Sequence, residues 1–157
     1  KNQRRDTDHL FNAREFGRAC PAIPSAWLPC RGAWARGRHP LGRRLEHCIH
    51  SVGSMRGHSS HEHNPFIILK RPNTDEFQGE VMGFSLIYSG NFLAQAEVDT
   101  HDTTRILLGI HPEWFDWKLE PGEEFQTPEA VMVYTDRGIN DMSQTFHRPY
   151  QKRLARR

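Results

Sequence analysis

The sequence predicts a mainly β chain, an antiparallel β-sandwich followed by a C-terminal helix. Two observations carry this reading. Short runs of alternating apolar and polar residues repeat through the middle of the chain, bounded by Gly, Pro, Asn and Asp. After Asp136 the period changes: Ile139, Met142, Phe146 and Tyr150 follow at spacings of three, four and four, which is one face of a helix.

The elements follow in order. Residues 1–31 have poor periodicity and are broken by proline in Cys20-Pro21-Ala22-Ile23-Pro24 and Leu28-Pro29-Cys30, so loop is expected there. Trp27 and Trp34 are the large anchors nearby. His47–Val52 reads as a short strand, and Ser54–Asn64 as a polar loop rich in Gly, Ser and His. Phe66–Lys70 is an apolar strand, ended by the turn cluster Arg71–Asp75. Gly79–Tyr88 and Phe92–Thr100 read as a hairpin closed by Ser89-Gly90-Asn91, because Gly90 and Asn91 tolerate positive φ. Thr104–Ile110 is a further strand, and Pro112 breaks it. Glu120-Pro121-Gly122-Glu123 is a turn, and Phe125–Thr127 and Ala130–Thr135 are the last strands. Asn140 or Asp141 is expected to cap the helix and Pro149 to kink or shorten it. Its apolar face needs a cover, and exposed surface at the sheet-to-helix junction is the expectation for this chain.

Hydrophobic content is 36%, which allows only a modest core. A net charge of +2 does not point to nucleic acid, although basic residues crowd the first third and the end. No apolar run approaches the ~20 residues needed to span a membrane. Cys20, Cys30 and Cys48 are odd in number and match no metal or redox spacing, as expected of reduced thiols in a cytoplasmic protein. The N-terminus has no apolar signal core and no initiator methionine, which reads as a piece of a longer chain.

Three groups invite a chemical reading. His58, His61 and His63 form H-x-x-H-x-H, a pattern zinc accepts, yet no cysteine or carboxylate completes a ligand set, and no metal is expected. Glu80, Glu97, Asp99 and Asp102 invite a reading as a glycosidase carboxylate pair, against which exposed sheet polarity is favoured. Trp114, Phe115 and Trp117 are either core aromatics or a platform for sugar rings, with core favoured. No phosphate loop or serine elbow is present.

Several longer runs add a family resemblance: GAWARGRH (Gly32–His39), SMRGHSSHEHNPF (Ser54–Phe66), DEFQGEVMGFSLIYSGNFLAQAEVD (Asp75–Asp99), LEPGEEFQTPEAVMVYTDRGIN (Leu119–Asn140) and MSQTFHRPYQKRL (Met142–Leu154). Over roughly four-fifths of its length the chain resembles bacterial α-galactosidases of glycoside hydrolase family 36. The resemblance implies an N-terminal β-supersandwich, a central (β/α)8 barrel and a C-terminal β-domain. It makes residues 1–31 a divergent or disordered segment, 32–135 a portion of the sandwich and 136–157 a connector helix toward the barrel.

Neither the K-W-D-x-N type motif nor the glycine-rich segment ending in R-F-D occurs, so no catalytic residue carries over and the chain alone is expected to be inactive. Gly37 stands where the family usually has an acidic residue, and Pro149 where it prefers a helix former. The resemblance further implies hydrolysis of terminal α-galactosides such as melibiose and raffinose, without a cofactor. It also implies a homotetramer whose N-terminal domains approach neighbouring active sites. Arg56, His58, His61 and Asn64 are the candidate substrate or subunit contacts. A non-catalytic sandwich that binds sugar or a partner is the alternative.

Overall fold

Two antiparallel sheets and a helix form three layers. The computed structural model describes residues 10–11, 26–33, 36–40, 43–59, 63–101 and 103–154. The strands are β1 (Leu10–Phe11), β2 (Ala26–Ala33), β3 (Arg36–Pro40), β4 (Arg43–Arg44), β5 (Ile49–Ser54), β6 (His63–Lys70), β7 (Val81–Ile87), β8 (Phe92–Val98), β9 (Thr104–Ile110) and β10 (Glu129–Thr135). Helix α1 (Gly138–Pro149) follows, continued by a π-helical turn at Tyr150–Leu154. One sheet has the order β1-β9-β8-β5; the other has the path β10-β7-β6-β2-β3, with β4 pairing β2.

The principal correction concerns the expected hairpin. The two arms do not pair: β7 lies between β6 and β10, whereas β8 lies between β5 and β9 in the opposite sheet. The chain crosses between layers at residues 88–91, and neither Gly90 nor Asn91 adopts positive φ. Burial explains the choice. The inner rows face each other as Phe84 and Leu86 against Phe92, Ala94 and Ala96, joined by Ile67, Val52 and Ile106 in one core. A hairpin would have put both rows on a single sheet, with no roof over them. The arms also differ in sequence. β8 alternates, whereas β7 (VMGFSLI) is apolar at nearly every position, the mark of a strand covered on both faces.

The second face of β7 receives α1. Met142 and Phe146 are buried against Ile68 and Val81, with Phe66, Val131, Val133, Ile139 and Tyr150 around them. The expected exposed junction is therefore absent, because this chain's own sheet covers the helix. Contact is close at Gly83, where an added Cβ would lie 2.5 Å from Phe146 Cε2 and 2.7 Å from Met142 Sδ. Phe66 meets Phe146 edge-on with centroids 5.1 Å apart. Tyr150 donates to Ser85 Oγ at 2.6 Å, which satisfies a polar group on a buried strand.

The helix start also departs from expectation. Asn140 and Asp141 lie inside the first turn, and the residue at the cap position, Arg137, makes no side-chain cap bond. The free N–H groups go instead to backbone carbonyls of the preceding loop: Gly138 to Gly79, Ile139 to Asp75 and Asn140 to Glu76. Gly138 adopts φ +80, and a Cβ there would meet Gln78 N at 2.6 Å, so glycine is required. Asp75 holds this capping loop by accepting from the N–H groups of Phe77 (2.8 Å) and Gln78 (2.9 Å). Those two bonds hold the Asp75 carboxyl below its ordinary value. At the other end Pro149 offers no N–H, and the α-helix gives way to the π turn.

Two further expectations change. β2 runs through Leu28-Pro29-Cys30, where loop was expected, and its register against β6 shifts between Pro29 and Arg31, next to the missing donor. Trp34 and most of residues 1–31 lie outside the described residues. No strand forms at Phe125–Thr127, because Pro121, Gly122 at φ +90 and Pro128 interrupt the segment.

Gly83→Ala is expected to destabilise the fold by about 1–3 kcal/mol, the usual cost of overpacking, read as a lower midpoint in urea; an unchanged midpoint would show that the helix seat yields freely. Asp75 gives a pH signature. Its folded-state value is lowered, so its contribution is fully present above the ordinary aspartate range and is lost as pH falls through the lowered value. Asp75→Asn keeps an acceptor and is expected to flatten the acid limb of a stability-versus-pH curve. An acid limb as steep as that of the unsubstituted chain would assign acid sensitivity elsewhere.

Candidate functional site

Ser54 ends β5, Phe92 starts β8 and Ile110 ends β9, and the register pairs Phe92 with both of the others. The segments 55–59, 88–91 and 111–128 therefore leave the sandwich at one end. Asn91 ties them together. Its side-chain oxygen accepts from Gly57 N at 2.6 Å, and its backbone carbonyl accepts from His111 N at 3.0 Å. Ser59 N donates to Ser89 O at 2.7 Å, and Ser54 Oγ donates to His58 O at 2.7 Å. Gly57 takes φ +84 in this bend.

Arg56 and His58 are on this end, Arg56 exposed and His58 at the bend, while Asn64 is half-buried at the start of β6. His58 Nδ1 donates to the Arg56 carbonyl at 3.2 Å, which in a neutral ring leaves Nε2 as the acceptor. His61 lies outside the described residues. The structure thus brings Arg56 and His58 together and sets Asn64 on a neighbouring strand. Among the described residues no three His, Cys, Asp or Glu side chains converge as a metal site.

The candidate carboxylates that are described each have a local partner. Glu97 bonds Arg105 at 3.1 Å on the β8–β9 surface. Glu80 bonds Arg71 at 2.9 Å and accepts from Tyr134 Oη at 3.1 Å. Asp99 shapes the β8–β9 turn by accepting from His101 N and Thr103 N, both at 2.8 Å. Asp102 lies outside the described residues. Each described acid has a local structural partner, as exposed sheet polarity requires.

The aromatic residues overturn the core reading. Trp114 is 83% exposed and Trp117 59%. Phe125 is the hub, with centroids 5.9 Å from Phe115 and 5.0 Å from Trp117. Trp114 takes φ +62, a costly conformation for a bulky residue. The prolines and glycine that break the segment are the legible signal for a loop here.

A model of the glycosyl hydrolase family 36 N-terminal domain matches residues 19–120, and a Melibiase model matches residues 124–157. Alpha-galactosidase AgaA of Geobacillus stearothermophilus is 54% identical over 147 residues, 94% of this chain and 20% of the relative. Alpha-galactosidase C of Emericella nidulans is 48% identical over 126 residues, 80% of this chain and 17% of the relative. A crystal structure of an AgaA variant in complex with 1-deoxygalactonojirimycin superposes with a TM-score of 0.83, covering 87% of this chain and 19% of that one. The α-galactosidase from Lactobacillus brevis superposes at 0.80 with 46% identity, covering 84% of this chain and 18% of that one. The chain therefore spans about a fifth of the length of these relatives. With its family model matched across most of its length and its two-sheet architecture shared with these enzymes, this chain belongs to glycosyl hydrolase family 36, as part of the N-terminal region.

Proposed function

We propose that the chain serves as the sandwich portion of a retaining α-galactosidase that removes terminal α-galactosyl groups from sugars of the melibiose and raffinose type. The observation that carries this reading is the run of two family models in order, the N-terminal-domain model and then the Melibiase model from residue 124. Solved complexes of AgaA variants with stachyose and raffinose support the substrate class. Retention needs a carboxylate nucleophile and a carboxylic acid facing one bond. Glu80 and Glu97 are held in ion pairs and Asp99 in a turn, which supports a reading in which the chemistry belongs to the part of the enzyme that the relatives carry beyond this stretch.

The role left to this chain is scaffolding and contact. We assign Arg56, His58, His61 and Asn64 to subunit or substrate contact in a cytoplasmic homotetramer. Support comes from the cation and imidazole of Arg56 and His58, held on a loop pinned to Asn91. A pinned loop can present such groups with little entropy left to lose on binding.

The isolated chain is expected to show no turnover of a chromogenic α-galactoside. Turnover that disappears with Glu80→Gln, Glu97→Gln or Asp99→Asn would overturn the reading. Grafted in place of the matching stretch of AgaA, the chain is expected to give an enzyme that hydrolyses raffinose. In that graft, Arg56→Ala with His58→Ala is expected to lower the assembled fraction in sedimentation while circular dichroism stays unchanged. An unaltered assembly with unaltered KM would remove these residues from both contact roles.

A further inference from the structure

We draw no further inference here: the strongest candidate, the exposed patch of Trp114, Phe115 and Trp117 on the aromatic loop between β9 and β10, carries nothing because nothing in the structure shows what covers it.

Discussion

The architecture depends on how closely α1 approaches β7. Gly83 removes the side chain that would separate them, and Phe146 and Met142 fill the space. That contact makes β7 a strand covered twice, by the opposite sheet on one side and by the helix on the other. Full burial of a Phe or Met is worth about 1.5–3 kcal/mol, so the two helix residues supply a large share of what a domain with a modest core has available. The same contact fixes where the chain goes next, because Tyr150, the first residue of the π turn, bonds Ser85 of β7.

Holding the helix at that position requires a loop, and the loop requires Asp75. The carboxylate organises residues 75–79, and their carbonyls cap the helix in place of a side chain. Gly79 and Gly138 both sit at positive φ where the two segments meet, each with backbone or Thr74 atoms where a Cβ would be. The sheet-to-helix junction is thus one interlocked unit, with turn, cap and helix seat built from neighbouring residues.

At the opposite end of the sandwich the organising residue is Asn91. It joins the histidine loop, the crossover between the sheets and the root of the aromatic loop. Both groups presented there, the Arg56–His58 pair and the tryptophans, stand on backbone that is already ordered. The described candidate acids are held locally, Glu80 by Arg71, Glu97 by Arg105 and Asp99 by the N–H groups of its own turn.

The strand positions of the middle of the chain, the terminal helix and the family were legible in the sequence, because period-two and period-3.6 patterns and long ordered motifs are local properties. Sheet membership was not. Gly79–Tyr88 and Phe92–Thr100 read as a hairpin because both arms alternate next to a turn-forming Ser-Gly-Asn, and only the need to roof both apolar rows sends them to opposite sheets. The helix cap was equally hidden, since Asn140 and Asp141 are good capping residues while the actual partners are the carbonyls of Asp75, Glu76 and Gly79, far back along the chain. Trp114, Phe115 and Trp117 suggest core by residue type. Their exposure was decided by the prolines and glycine that keep residues 111–128 out of the sheet, and by which surfaces the rest of the fold had room to cover.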